Sequence, residues 1–282
     1  MGLFYKTLMA RYGLAPLTIV FWRAAVAAGV LFAVRILTRR PHKRVESRDW
    51  LLFALFGLLG IALFYIAYVY AIALTGMGIA AVLMYSAPAW VAGLGAVLFR
   101  EPLTLRKSAA LGLSLIGCAM VGRAYDLEGL RLAPLGLLAG LGAGLAYSLY
   151  ILFGKAATQR GYEPWSVTAY ALGFGVLFLL PLQSAQQMRL VISSPETLLW
   201  LASLGIIPTL GGGVAFNAGL RTLSAGTAGI IATIEPALAA LLGWLVWNEH
   251  LEPPQILGTG LIVAAVLAVQ SDTAGPPTCN RT

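Results

Sequence analysis

YSAPAWVAGLGAVLFREPLTLRKSAALGLSLIGCAMVG, at Tyr85–Gly122, returns later in the chain as IEPALAALLGWLVWNEHLEPPQILGTGLIVAAVLAVQ, at Ile234–Gln270. Pro88 answers to Pro236, Glu101 to Glu249 and Gly112 to Gly260, so one offset of 148 residues aligns the two stretches without a gap. Each copy reads as an apolar helix opened by a proline, a short turn after a Glu, and a second apolar helix rich in Gly and Ala. A repeat of this kind is read before any single helix, because missing it miscalls the whole fold.

The composition says where such helices live. Of 282 residues, 59% are hydrophobic and 11% charged, against roughly 25% charged in a soluble domain. With a mean hydropathy of +0.84, the chain has too little polar surface to cover a globule in water, which makes it a polytopic membrane protein. Cys118 falls within an apolar helix and Cys279 in the tail, so neither a disulfide framework nor a metal site is indicated.

A spanning helix needs about 20 mostly apolar residues. Nine stretches qualify or nearly do: 16–37, 50–73, 79–99, 107–123, 134–156, 164–182, 198–220, 227–247 and 255–270. Ahead of them, MGLFYKTLMARYG is too short to span. The offset carries Gly13 and Pro16 onto Gly161 and Pro164, and Met1 onto Leu149 in the middle of a helix. The expectation is therefore a first helix cut short in this sequence and ten transmembrane helices in the intact protein; the alternative is a genuine half-helix entering from the membrane surface. The organisation expected is an all-α membrane protein with a first five-helix repeat at 1–123, a second at 134–270 and a disordered polar tail at 271–282.

Five is odd, so the second repeat is expected to cross the membrane upside down relative to the first. Charge agrees. Arg35, Arg39, Arg40, Lys43, Arg44 and Arg48 crowd one loop, and basic residues mark the cytoplasmic side. Alternating from there, the same side gathers Arg100, Arg106, Lys107, Lys155, Arg160 and Arg221, leaving only Arg11, Arg123, Arg131 and Arg189 outside. The net charge of +8 is thus a topology signal, and nucleic acid is not the partner it implies. The N-terminus is placed in the cytoplasm, and the basic loop is set to meet anionic lipid headgroups.

These residues carry a resemblance. The paired Pro-to-Glu helices with their Gly-rich successors, and Arg23 within FWRAAVAAG, resemble the EamA repeat of the drug/metabolite transporter superfamily. The resemblance covers nearly the whole chain, twice. It implies ten helices, secondary active transport without ATP or any cofactor, and export of small metabolites across the bacterial inner membrane. The aromatic content of the helices further resembles bacterial amino acid exporters of the YddG type. The family's Glu-Pro opening of the ninth helix is matched by Glu235-Pro236, whereas the first repeat has Ala87-Pro88.

Inverted repeats set a substrate site near the membrane midplane, and ionisable residues there are functional candidates. Glu235, roughly 12 Å along its helix at 1.5 Å per residue, suits a substrate amine, a cation or a coupling proton; its structural alternative is satisfying backbone freed by Pro236. Lys6 suits a substrate carboxylate, or snorkels to the surface. Arg23 reads as a gating or structural partner. Lys155, nearer a helix end, is expected to snorkel. Tyr65 and Tyr68, three apart, share a helix face, and Tyr147 and Tyr150 repeat the spacing. With Tyr85 and Trp90 they are expected to line an amphipathic cavity, since a phenol in hydrocarbon needs a partner; the alternative is an interfacial aromatic belt, which fits Trp165, Trp244 and Trp247 better. Pro208 and Gly211–Gly213 weaken a helix interior and predict a hinge, with Asn217 one turn on. Gly112, Gly117, Gly258 and Gly260 read as packing residues.

An exporter of amino acids, aromatic ones included, is the first expectation, and an exporter of lipophilic cations or drugs the alternative. Phosphorylated sugars would want more cavity-facing cations than Lys6 and Arg23. A membrane enzyme would want a cluster of His, Asp, Glu or Cys, and His42 and His250 lie outside the helices.

Overall fold

The computed structural model describes residues 2–38, 43, 45–125, 133–247 and 250–273, apart from the side chains of residues 2, 3, 6, 243, 246, 247 and 271–273. Glu249, Trp247 and Lys6 of the expectations above thus lie outside the described side chains, as does the tail at 274–282. Among the described residues the protein is all-helical. In chain order run α1 (Gly2–Tyr12), α2 (Pro16–Thr38), α3 (Asp49–Thr75), α4 (Met77–Leu98), α5 (Leu105–Val121), α6 (Pro134–Gln159), α7 (Pro164–Leu182), α8 (Ala185–Ile192), α9 (Pro195–Gly219), α10 (Ala225–Ala232, then Ile234–Trp247) and α11 (Pro253–Thr273). Eight of them are long and apolar enough to cross a membrane. The short α8 is absent from the sequence expectation, and α11 continues three residues past the expected boundary at 270.

Two helices are π-helical part-way, α3 over Phe56–Leu63 and α9 over Gly205–Gly211. The 148-residue offset superimposes these segments. Pro208 accounts for the second, because it lacks the N–H an α-helix needs and crowds the carbonyl a turn behind. The first has no proline. It has Gly57, the echo of Gly205, and Gly60, the echo of Pro208.

The chain divides into two compact units that interleave in sequence: Met1–Tyr70 with Leu145–Thr222, and Ala71–Gly144 with Leu223–Thr282. In the first unit, α3 lies so close to α7 that a Cβ on Gly57 would stand 2.3 Å from the Phe174 Cβ. The repeat-related contact sets Gly205 of α9 against Val26 of α2, at 2.9 Å. Around them packs a core of Phe21, Phe53, Phe56, Tyr65, Tyr162 and Leu172. At the basic end, Asp49 is 1% exposed, pairs with Arg160 and accepts a bond from Tyr162 Oη at 2.6 Å. At the opposite end, Gln187 of α8 accepts a bond from the Ala15 N–H at 2.8 Å, holding the start of α2.

Lys155 departs from expectation. It is buried, and its Nζ donates to the Leu220 carbonyl at 2.9 Å. The last carbonyls of a helix lack partners and carry the negative end of its dipole. The ammonium answers both at the end of α9, so it does not snorkel.

In the second unit, α5 and α11 run antiparallel through small residues. A Cβ on Gly117 would meet the Gly258 carbonyl at 2.7 Å, while Ala110 shares a buried cluster with Ala265. Gly117 and Gly258 are packing residues; Gly112 and Gly260 have open space where a Cβ would stand. Both α4 and α10 break ahead of their prolines, at Tyr85–Ser86 and at Thr233. In each break a hydroxyl returns to a carbonyl three residues back, Ser86 Oγ to Leu83 and Thr233 Oγ1 to Ile230, both at 2.6 Å. The carboxylate of Glu101 accepts bonds from the N–H groups of Ala225 (2.7 Å) and Gly226 (3.1 Å) and so caps α10.

Candidate functional site

The first unit draws aromatic and polar side chains together around the π-segment of α3. Gly60 makes this possible: its missing Cβ would lie 2.9 Å from the Tyr150 Cα, so α3 meets the backbone of α6 directly. Phe56 then meets Tyr150 edge-on at 5.2 Å. One turn along, Phe64 lies nearly parallel to Tyr68 (5.9 Å, 17°) and to Tyr147 (5.3 Å, 28°), and Tyr147 to Tyr150 (6.0 Å, 19°). Tyr68 and Tyr147 therefore share one stack, through a phenylalanine the sequence reading passed over. The signal was there: Phe64 stands four residues before Tyr68 on the helix, the spacing at which side chains meet.

Tyr65 is buried beside that stack and turns to α2. Arg23, 6% exposed, donates an Nη2 hydrogen bond to the Tyr65 hydroxyl. Its guanidinium also lies 4.5 Å from the Tyr65 ring centroid and 5.9 Å from that of Tyr5 on α1. Rings of this kind stabilise a cation through the negative face of the π-system. The arrangement is a fixed positive charge in an apolar span, cradled by two phenols and edged by a wall of parallel rings.

A second polar pair belongs to the same unit. Asn217, fully buried, donates through Nδ2 to Thr168 Oγ1 (3.2 Å) and to the Gly213 carbonyl (3.0 Å). Its amide also faces the Tyr150 hydroxyl, and its Oδ1 has no hydrogen-bond partner among the described residues. Gly213 is where α9 admits this: a Cβ there would touch Thr168 at 3.0 Å. Gly211 and Gly212 meet no such neighbour, and with Pro208 they belong to or adjoin the π-segment.

The other candidates belong to the second unit. Tyr85 is 7% exposed and Trp90 41%; they flank the buried Pro88 at the break in α4. Glu235 opens the second part of α10, is exposed, and makes no hydrogen bond or ion pair among the described residues. Pro236 withholds the N–H that would bond the Ala232 carbonyl, and the hydroxyl in this break, Thr233 Oγ1, bonds the Ile230 carbonyl instead.

A family model described as the EamA-like transporter family matches residues 1–123 and 134–270. A protein of Archaeoglobus fulgidus named "Uncharacterized transporter" is 33% identical over 214 residues, 74% of each chain. A protein of Streptantibioticus cattleyicolor named "Probable terminal-alkyne amino-acid exporter" is 25% identical over 268 residues, 95% of this chain and 86% of that one. A solved crystal structure shares the fold, with a TM-score of 0.72 at 17% identity over 96% of this chain and 95% of the other.

Proposed function

The chain belongs to the EamA-like transporter family as a multi-pass membrane protein, and we propose that it exports amino acids with apolar or aromatic side chains, by alternating access and without ATP. The observation that carries this is Arg23 held between Tyr65 and Tyr5 at the edge of the Phe64–Tyr68–Tyr147–Tyr150 stack. A substrate carboxylate matches the guanidinium, and an apolar or aromatic side chain matches the parallel rings. The amino-acid exporter among the relatives supports the same class. Glu235, exposed and unpaired among the described residues, is our candidate for the group that meets a cation or coupling proton. Pro208 and the neighbouring glycines are our candidates for the hinge.

We place the protein in a bacterial inner membrane with its N-terminus cytoplasmic, on the distribution of Lys and Arg. The two repeats are read as inverted. The antiparallel pairing of their equivalent helices α5 and α11 supports this, and so does the swap of partners between Gly57–Phe174 and Gly205–Val26. Repeats of opposite orientation give the two end states of transport matching geometry.

The test is counter-flow in proteoliposomes preloaded with unlabelled amino acids, with labelled phenylalanine, methionine, threonine or lysine outside. Saturable exchange of phenylalanine and methionine is expected, and Arg23→Gln should reduce it about tenfold or more, the worth of a hydrogen bond to a charged group. Saturable flux of a lipophilic cation with no amino acid exchange would overturn the substrate class.

A further inference from the structure

The first unit contains a cavity of about 510 Å³ at the basic ends of its helices. Leu31, Val34 and Arg35 of α2 form one wall, Glu163 and Trp165 at the start of α7 another, and Arg221 beyond the end of α9 a third. Thr38 and Ser166 add hydroxyls. None of these residues belongs to the Arg23–Tyr65 cluster. Two guanidinium groups against one carboxylate leave the lining net positive.

Arg35 lines this cavity and keeps a donor unused among the described residues. Its guanidinium lies 5.3 Å from the Tyr170 ring centroid, and its Nη1 is buried with no hydrogen-bond partner among the described residues. A buried donor without an acceptor carries a desolvation cost, larger for a charged group; a turn of the guanidinium toward the cavity it lines would bring that donor to an anion there. The first turn of α7 lines the same space, and Glu163 ahead of it provides no side-chain cap. The repeat gives a comparison. The offset takes Glu163 to Ala15, and at that related helix start Gln187 bonds the Ala15 N–H. At the one helix start a protein side chain takes the N–H, and at the other, beside Arg35 and Arg221, there is a cavity.

Position identifies the anion. The residues stand at the ends of membrane spans: Arg35 three residues before α2 stops at Thr38, and Trp165 second in α7. Trp165 is 51% exposed and Val34 43%, so the cavity is walled by an aromatic ring of the kind that settles at headgroup level and continues onto apolar surface. We propose that this cavity binds the phosphate headgroup of an anionic phospholipid, with Arg35 and Arg221 on the phosphate and an acyl chain along Leu31 and Val34.

The experiment measures the thermal unfolding midpoint of the detergent-purified chain during titration with dioctanoyl phosphatidylglycerol, dioctanoyl phosphatidylcholine, inorganic phosphate or phenylalanine. Phosphatidylglycerol should raise the midpoint saturably, by about 5 °C, and phosphatidylcholine should not. Arg35→Gln with Arg221→Gln should abolish the shift. Val34→Trp, which fills the cavity at an exposed position and keeps both charges, should abolish it too. An equal shift from inorganic phosphate would overturn the lipid assignment in favour of a free-anion site. A shift from phenylalanine that the arginine variants lose would make the cavity a mouth for substrate. A phosphatidylglycerol shift undiminished in both variants would reduce the effect to surface charge.

Discussion

Two pairs of helices in the first unit, α2 with α3 and α7 with α9, are built on one frame and furnished differently. Gly57 and Gly205 occupy equivalent positions, both close-packed, and both pairs contain a π-segment at the same register. The side chains then diverge. Arg23 and Tyr65 have Ala171 and Gly213 as their echoes, while Thr168 and Asn217 have Val20 and Val69. Each pair keeps a polar contact where its counterpart is apolar. The shared glycines serve the frame, which both repeats must keep, and the unshared polar residues serve what the frame holds. A site with a cation on one side and a neutral amide on the other suits a ligand whose ends differ.

The frame is broken most severely at Gly57. A Cβ there would stand 2.3 Å from the Phe174 Cβ and 2.7 Å from the Gly175 nitrogen, against 2.9 Å from Val26 and 3.0 Å from the Arg23 carbonyl at Gly205. Overpacking costs typically 1–3 kcal/mol and more where backbone must move. Gly57→Ala should therefore lower the thermal midpoint in detergent by more than Gly205→Ala. Equal losses would mean that the two contacts relax alike and that the frame is more symmetric than its distances.

The furnishing is tested at Tyr65. Tyr65→Phe keeps the ring over Arg23 and removes the oxygen that accepts its hydrogen bond. Phenylalanine counter-flow should fall about tenfold, the scale of one hydrogen bond to a charged group, with the midpoint changed less than by Gly57→Ala. Wild-type counter-flow would show that the ring alone positions Arg23.

These expectations draw on features of unequal visibility in the sequence. The repeat was legible because Pro88 and Pro236, Glu101 and Glu249, and Gly112 and Gly260 survive as landmarks at one spacing. Pro208 and the glycine run announced the irregularity of α9, since their backbone effects are local. The π-segment of α3 was not announced by any local residue; only the offset from Gly57 to Gly205 points to it. That Phe64 meets Tyr68 follows from four-residue spacing in the regular helix Phe64–Thr75, but that this face meets Tyr147 while Tyr65 meets Arg23 depends on how the helices pack, which spacing along one helix does not express. Thr233, Ser86 and Glu101 escaped because short hydroxyls and a loop carboxylate look like solvated residues until the broken helices and bare helix start they bond are in place.

Glu101 gives a smaller effect in the second unit, where a residue of the first repeat caps a helix of the second. Glu101→Ala removes the acceptor of two N–H groups at the start of α10. Loss of a helix N-cap costs about 0.5–2 kcal/mol, and Ser224, whose Oγ accepts from the Thr227 N–H at 3.2 Å, still caps the same turn. A modest fall in thermal midpoint is expected, and no change would assign the capping to Ser224 alone.

The smallest effect addresses the comparison most directly. Thr168 is 2% exposed; its Oγ1 donates to the Pro164 carbonyl at 2.8 Å and accepts from Asn217 at 3.2 Å. Thr168→Val installs the residue found at its echo and takes from Asn217 Nδ2 one of its acceptors, at a cost of about 1 kcal/mol. Adding Asn217→Val copies the echo pair Val20 and Val69. Removing both partners of a hydrogen bond is cheaper than stranding one, so the double variant should be less destabilised than the sum of the two single variants. Its counter-flow should nonetheless fall, because the amide facing Tyr150 is gone. Strict additivity in stability would show that the Thr168–Asn217 bond contributes nothing to the frame. Unchanged counter-flow would show that Arg23 and Tyr65 supply the asymmetry of the site by themselves.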